Sequence, residues 1–191
     1  KKLGKKIILM ATSTGGTLAL KLAAEFPDIA GLILLSPNIE INDAKAWMLN
    51  NHWGLQIAKA VAGTYRKASD TTAIYAQYWN NKYRIESTVQ LEELLESTMK
   101  KSTFEKVNQP TLLLYYYKDE EHQDPVVKVS AMKRMFSQLG TADSLKRVVA
   151  LPNTGDHVIG SYIKSKDVQS VVNETEKFAS DILHMIKFSD Q

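Results

Sequence analysis

The chain has 191 residues, of which 44% are hydrophobic and 24% charged, with a formal net charge of +3. This is enough apolar material for one sizeable core, but no apolar run approaches the roughly 20 residues of a membrane helix, and no basic stripe suggests a nucleic-acid surface. Cysteine is absent, which excludes disulfides, thiolate metal sites and a cysteine nucleophile but leaves the cellular compartment undetermined.

Two short apolar runs near the beginning of the chain predict parallel strands. Residues 7–10 (IILM) form the first run and residues 31–35 (GLILL) the second. Between them, Leu18, Leu22 and Phe26 recur at helical spacing, so we expect a helix that connects the two strands.

Residues 43–105 have a different character. The pattern there is helical, and the segment holds all three tryptophans of the chain. It is too long for an ordinary connection between strands. We therefore expect an inserted helical cap.

The strand pattern resumes after the predicted cap. Residues 111–117 and 145–151 predict two further strands, each followed by a helical pattern. Strands that alternate with helices are typical of a parallel sheet flanked by helices, the α/β class. The sequence thus predicts three parts: residues 1–42 and 106–191 form the core, and residues 43–105 form the cap.

Residues 11–16 (ATSTGG) lie between the first predicted strand and the following helix. A nucleophilic serine on a sharp strand-to-helix turn needs small neighbours, and Ala11 and Gly15 meet that need around Ser13. The helix that starts near Gly15 directs N–H groups toward the turn, where they favour an oxyanion. A phosphate-binding turn or a simple helix cap at Ser13 remains an alternative.

An acid and a base are expected on the loops after the last two strands. Asp124 follows the third strand, from where its carboxylate can reach an imidazole at the carboxyl edge of the sheet. It could instead cap the next helix, and Asp119 and Glu120 are rival acids. His157 follows the fourth strand, whereas the other histidines do not follow a strand in the required order: His52, His122 and His184.

The order Ser, Asp, His along the chain is stronger evidence for a catalytic site than any of the three residues alone. Each of Ser13, Asp124 and His157 comes just after a successive predicted parallel strand, as in the α/β-hydrolases. Their order therefore predicts a catalytic triad of nucleophile, acid and base.

The sequence resembles the α/β-hydrolase superfamily, and within it the lid-bearing esterases that are like monoacylglycerol lipase or serine aminopeptidase. Residues 11–16 resemble the nucleophile elbow, although alanine replaces the usual first glycine, residues 123–127 (QDPVV) the acid loop, and residues 155–157 (GDH) the histidine loop. The resemblance implies a serine hydrolase that acts on carboxylic esters without metal or cofactor, with the Thr14 N–H in the oxyanion hole. A peptidase, an acyltransferase or a non-catalytic scaffold that binds a partner remains open.

The resemblance also implies several strands before the elbow and a loop that supplies a second oxyanion N–H, whereas twelve residues precede Ser13 here. We therefore expect an α/β-hydrolase fold without its N-terminal strands: a fragment, or one piece of a two-chain hydrolase, with impaired activity. Its first strand would then be an open edge. This edge is expected to pair with a second copy or with the missing N-terminal half.

Overall fold

The computed structural model describes residues 6–67, 70 and 72–186. The chain divides into two compact units: Asn42–Ser97, called the insertion unit, and the residues on either side of it, called the sheet unit. The described strands are β1 (Ile8–Thr12), β2 (Gly31–Leu35), β3 (Tyr65–Lys67), β4 (Lys82–Arg84), β5 (Thr111–Tyr115) and β6 (Lys146–Ala150). The described helices are α1 (Thr14–Glu25), α2 (Gly54–Ala62), α3 (Ala73–Tyr78), α4 (Glu86–Thr98), α5 (Lys101–Phe104), α6 (Val129–Ser137) and α7 (Val168–Asp181), with short 3-10 helices at Ala46–Asn50 and Asp143–Leu145.

The sheet unit contains one parallel sheet of four strands in the order β1-β2-β5-β6. Every residue of β2 and β5 is buried, as their unbroken apolar sequences predict, while β1 and β6 are partly exposed. The prediction of a parallel sheet flanked by helices is therefore confirmed.

Alternate residues of the central strands build two apolar layers. Leu34 and Leu113 pack in a cluster with buried side chains of α1 and α6, whereas Leu35 and Leu114 pack in a second cluster that includes Phe178 of α7. Each such fully buried side chain contributes about 1.5–3 kcal/mol relative to leaving it exposed. Because all four strands run in one direction, the loops that follow them gather at one edge of the sheet.

The insertion unit is mostly helical, and it also contains a small antiparallel hairpin in which Tyr65 of β3 faces Arg84 of β4. The helical pattern predicted for this region did not indicate these two short strands. Trp47 and Trp53 are 62% and 69% exposed, so they are not part of a core, while the rings of Tyr75 and Trp79 stack with centroids 5.0 Å apart.

Candidate active site

Ser13 lies between β1 and α1 in a backbone conformation that few residues adopt. Its φ is 54° and its ψ is −127°, which costs on the order of 1–3 kcal/mol and persists only where the surrounding structure imposes it. The Ser13 N–H donates to the Leu35 carbonyl at 3.1 Å, and the Ser13 carbonyl accepts from the N–H groups of Gly16 at 2.8 Å and Asn38 at 2.9 Å. These bonds hold the strained turn that the sequence motif predicts for a nucleophile.

The turn packs closely against the segment that follows β2. A Cβ atom on Gly16 would lie 2.6 Å from the Cβ of Pro37, a distance that real Cβ atoms do not tolerate. By contrast, a Cβ on Gly15 would lie 3.6 Å from the Cβ of Ala11, which is ordinary contact. Of the two glycines in this turn, tertiary packing restricts Gly16 more than Gly15, which the sequence motif alone did not indicate.

Thr14 begins α1 and directly follows Ser13. The first N–H groups of a helix have no acceptor within it, and the helix dipole favours a negative charge at this end. The first turn of α1 carries no acidic side chain that would compete for these groups. A developing oxyanion next to Ser13 is thus electrostatically favoured.

Asp124 and His157 form a buried pair. The Nδ1 atom of His157 lies 2.8 Å from Oδ2 of Asp124, and the two residues are 6% and 1% exposed. The other carboxylate oxygen of Asp124 accepts from the N–H groups of Val126 at 2.9 Å and Val127 at 3.0 Å. These backbone bonds fix the orientation of the carboxylate toward the imidazole.

The second ring nitrogen of His157 is available. Its Nε2 atom is buried and has no hydrogen-bond partner within the described residues. Because the Asp124 carboxylate accepts from Nδ1–H, the lone pair of the neutral imidazole is on Nε2, as a general base requires. The structure thus brings Asp124 and His157 together, while no hydrogen bond joins the hydroxyl of Ser13 to this nitrogen.

The loop of His157 runs back across the sheet toward the turn around Ser13, the proposed nucleophile, which is called the nucleophile turn. Such a path is needed to bring His157 near Ser13, because the strands that precede them, β6 and β1, are at opposite ends of the four-stranded sheet. Beyond the histidine, Ile159 is fully buried in the cluster that contains Leu35, and a Cβ on Gly160 would lie 3.0 Å from Cδ1 of Leu35. The Leu35 carbonyl in turn accepts from the N–H of Ser13. Leu35 is therefore a common neighbour of both loops.

The rival acids have other partners. The Oδ1 atom of Asp119 lies 2.7 Å from Nδ1 of His122, and this hydrogen bond is the largest of the effects that lower the pKa of the Asp119 carboxyl. Glu120 accepts from the hydroxyl of Tyr117 at 2.8 Å. Both contacts are exposed, whereas the Asp124 contact is buried, so burial favours Asp124, the acid that the sequence also ranks above these two because they lie in a charged run next to the strand end.

Sequence reasoning missed three polar residues beside the site. Ser36 is fully buried with a φ of 44°, and Asn38 is 4% exposed. Glu40 accepts from two cationic side chains, those of Lys128 and Arg134. A polar run directly after a fully apolar strand is the one signal in the sequence that could have drawn attention to this segment.

The described residues hold neither a cluster of metal ligands nor a membrane-crossing helix. Within residues 6–67, 70 and 72–186, no group of three or more histidine or carboxylate side chains is arranged to hold a metal ion. No helix in these same ranges combines the length and the apolar character needed to cross a membrane.

Comparison with known sequences gives one family. The sequence model of the family described as serine aminopeptidase, S33, matches residues 1–152, which include Ser13 and Asp124 and end shortly before His157. No curated protein matches the chain.

Solved structures of lipolytic enzymes have a similar fold. The chain is similar to a metagenome-derived lipolytic enzyme of the LipS and LipT pair (TM-score 0.69, 14% identity, covering 91% of this chain). It is similar to a monoglyceride lipase from Saccharomyces cerevisiae solved with a substrate analogue (0.65, 15%, 97%) and to a thermostable carboxyl esterase from Bacillus coagulans solved with glycerol (0.63, 18%, 92%). The chain spans 64% of each of these three. The likeness confirms the predicted α/β-hydrolase fold.

Proposed function

The chain belongs to the serine aminopeptidase S33 family of α/β-hydrolases, and from this premise we propose that it is a serine hydrolase that cleaves carboxylic esters through Ser13, His157 and Asp124. The observation that carries the proposal is the buried pair of Asp124 and His157, 2.8 Å apart, whose second imidazole nitrogen is left without a partner among the described residues. In a purely structural histidine, a buried imidazole nitrogen without a hydrogen-bond partner is unfavourable. A general base, by contrast, needs a nitrogen whose lone pair is free to take a proton.

Acylation begins at the hydroxyl of Ser13. Its Oγ attacks the ester carbonyl carbon while Nε2 of His157 takes the hydroxyl proton, and Asp124 stabilises the resulting imidazolium. The carbonyl oxygen becomes the oxyanion, which accepts from the N–H of Thr14. The tetrahedral intermediate then collapses, the imidazolium gives its proton to the leaving alcohol, and an acyl-enzyme remains on Ser13.

Deacylation repeats these steps with water. His157 takes a proton from the water as its oxygen attacks the acyl carbon, and it returns that proton to Oγ of Ser13 when the intermediate collapses. One ester and one water thus become one acid and one alcohol. The hydrogen bond from Ser13 to His157 forms on substrate binding, as catalytic hydrogen bonds commonly shorten from the unliganded state.

An apolar acyl or alcohol group suits this chain best. Trp47 and Trp53 of the insertion unit expose most of their surface, so they do not fill a core and their apolar rings are open to contact with a ligand. The structural neighbours described above include a lipolytic enzyme and a monoglyceride lipase. The second candidate is a triad peptidase, which the description of the matching family favours.

A fluorophosphonate probe tests the proposed chemistry directly. We expect covalent labelling of Ser13, located by peptide mass spectrometry, and no labelling in Ser13→Ala. Turnover of a p-nitrophenyl acyl ester without Ser13-dependent turnover of an aminoacyl anilide would support the esterase, whereas Ser13-dependent turnover of the anilide would support the peptidase. Absence of probe labelling would contradict the proposal and favour a non-catalytic hydrolase-like scaffold that binds a partner or a small ligand.

We further propose that the 191-residue chain by itself is a slow enzyme. The Thr14 N–H is one oxyanion donor, and no second donor is assigned among the described residues. One such donor contributes on the order of 3 kcal/mol, or 10²–10³ in rate. The isolated chain is therefore expected to turn over esters slowly while Ser13 remains reactive toward the probe.

The outer edge of β1 is proposed to pair with another strand. Within the described ranges β1 pairs with β2 alone, and Met10 on it is 55% exposed. The adjacent helix α1 exposes Leu18 and Leu22 at 48% and 41%, four residues apart on one helix face, and Phe26, which directly follows the helix, is 51% exposed. Antiparallel pairing of two β1 strands about a twofold axis normal to the sheet brings two such helix faces together. In the isolated chain the partner is therefore a second copy, and the alternative partner is an N-terminal half of the hydrolase.

A further inference from the structure

Residues 36–41, called the connecting segment, follow β2 and contact the nucleophile turn at their first end. The N–H of Asn38 donates to the carbonyl of Ser13 at 2.9 Å, and the hydroxyl of Thr17 donates to the carbonyl of Asn38 at 2.5 Å. This second bond is buried. The first end of the segment is thus bonded to the backbone of Ser13, the proposed nucleophile.

The other end of the connecting segment is bonded to the loop that carries Asp124. The N–H of Lys128 donates to the carbonyl of Glu40 at 2.9 Å, and Ile41 forms an antiparallel bridge with Val127. The N–H of Val127 is also one of the two donors to Oδ1 of Asp124. A shift of Glu40 or Ile41 would therefore move the backbone that orients the carboxylate.

The side chain of Glu40 reinforces this second attachment. Its Oε1 accepts from Nζ of Lys128, and its Oε2 accepts from Nη2 of Arg134 at 3.1 Å. Partial burial alone would raise the pKa of the Glu40 carboxyl, but the hydrogen bonds from Lys128 and Arg134 outweigh it and lower the pKa below its usual 4.5. Glu40 is therefore ionised at neutral pH and balances both cations.

We propose that Glu40 is a positioning residue: its contacts with Lys128 and Arg134 hold the Asp124 loop at a fixed distance from the nucleophile turn. Among the described residues, the connecting segment bonds both to the nucleophile turn and to the loop of Asp124. Glu40 is its one charged residue. The catalytic part of this inference rests on the proposed function, whereas its structural part does not.

This role predicts a local effect rather than a global one. Glu40 is 41% exposed and Arg134 57% exposed, and ion pairs at such sites contribute little to global stability. Removing the carboxylate leaves Lys128, just before α6, and Arg134, in its last turn, to repel each other without the anion that both contact. We expect that repulsion to loosen the backbone around Val126 and Val127 without unfolding the sheet.

The test compares Glu40→Gln with Glu105→Gln. The control removes an exposed carboxylate that pairs with Lys101 at 3.5 Å, away from the connecting segment. The first measurement is amide hydrogen exchange at Val126, Val127 and Lys128, which requires no catalysis. The second is the rate of probe labelling, separated into the maximal inactivation rate and the probe concentration at half that rate.

The expected result is a rise in exchange at those three amides in Glu40→Gln and not in the control. The maximal inactivation rate should fall by roughly tenfold, which is less than the 10²-fold loss of rate that a misplacement of about 1 Å can cause. The half-saturating probe concentration should stay the same. Glu40→Asp, which keeps the charge on a shorter side chain, should recover part of the rate. Exchange at the three amides that equals the control's would overturn the inference.

Failure of the proposed function has a different signature. If the wild-type chain takes up no probe, the esterase proposal fails, and amide exchange still decides whether Glu40 positions the Asp124 loop. If Glu40→Gln does not fold, the wild-type chain in high salt replaces it, because screening weakens an exposed ion pair. Exchange at Val126 and Val127 must then rise with salt more than exchange within β5, and equal increases would contradict the role of Glu40.

Discussion

The imidazole of His157 and the carboxylate of Asp124 are joined at 2.8 Å across a separation of 33 residues, and both groups are almost fully buried. Burial matters because a hydrogen bond to a charged group is stronger where water does not compete. The pair can therefore hold one imidazole tautomer in one orientation, which a solvent-exposed pair such as Asp119 and His122 does less well.

The first prediction concerns the choice of acid. Asp124→Asn should lower kcat for ester hydrolysis by roughly 10²–10⁴, because an amide can donate to Nδ1 and favour the wrong tautomer. Asp119→Asn should leave most of the activity, since Asp119 bonds to His122 in an exposed loop. Steady-state kinetics on both variants decide the matter, and equal losses would show that Asp124 is not the acid.

A second prediction concerns packing beneath Ser13, the proposed nucleophile. Gly16→Ala should destabilise the fold by about 1–3 kcal/mol, because the new Cβ would lie 2.6 Å from that of Pro37. Gly15→Ala adds the same methyl group in the same helix with only ordinary contacts, and it should be neutral or stabilise by up to about 1 kcal/mol. Urea unfolding of the two variants gives the comparison. Similar losses at both positions would contradict the close approach at Gly16.

The third prediction is a pH dependence within the insertion unit. Hydrogen bonds from Arg84, at 2.9 Å, and Lys59, at 2.8 Å, lower the pKa of Glu86 to about 2 from its usual 4.5. A carboxyl whose pKa is lower in the folded state stabilises that state above pH 4.5, and this contribution is lost as the pH falls toward 2. Fluorescence reports on this unit, since Trp47, Trp53 and Trp79 all lie in it.

Glu86→Gln should therefore be less stable than wild type at neutral pH, and the difference should shrink as the pH falls from 4.5 toward 2. Glu93→Gln is the matched control on the same helix, because Glu93 is exposed. Thermal unfolding followed by tryptophan fluorescence at several pH values measures the difference. A constant gap between Glu86→Gln and wild type would argue against the ion-pair explanation.

A fourth prediction concerns the edge of the sheet. Met10→Lys on β1 should shift the isolated chain from dimer to monomer in sedimentation experiments, because a charge on an edge strand opposes strand pairing. Val148→Lys provides the control, since Val148 is 43% exposed on β6, at the opposite end of the sheet. A wild-type chain that is monomeric at high concentration would exclude the second copy and favour an N-terminal half as the partner.

The sequence was informative where local pattern and tertiary structure agree. Unbroken apolar runs predicted the central strands β2 and β5, because strands buried on both faces need no polar alternation. The edge strands were predicted from shorter apolar runs, and that of β6 also contains Lys146 and Arg147. The resemblance to lid-bearing α/β-hydrolases, based on the motifs around Ser13, Asp124 and His157, is confirmed at the level of family and fold. The roles of these three side chains remain a proposal.

The sequence was uninformative where structure depends on distant contacts. The strands β3 and β4 are three residues each and fully exposed, so they carry no apolar period. The restriction at Gly16 arises from Pro37, which is far along the chain. The charged run around Asp119 ranked it below Asp124, but the full difference in burial between the two carboxylates is a property of the folded chain.

The most direct test of the triad is the second-order rate constant for fluorophosphonate labelling of Ser13 in three proteins: wild type, His157→Ala and His184→Ala. We expect a loss of at least about 10² in His157→Ala, since the hydroxyl then has no base, and a wild-type rate in His184→Ala. Labelling of His157→Ala at the wild-type rate would show that His157 is not the base.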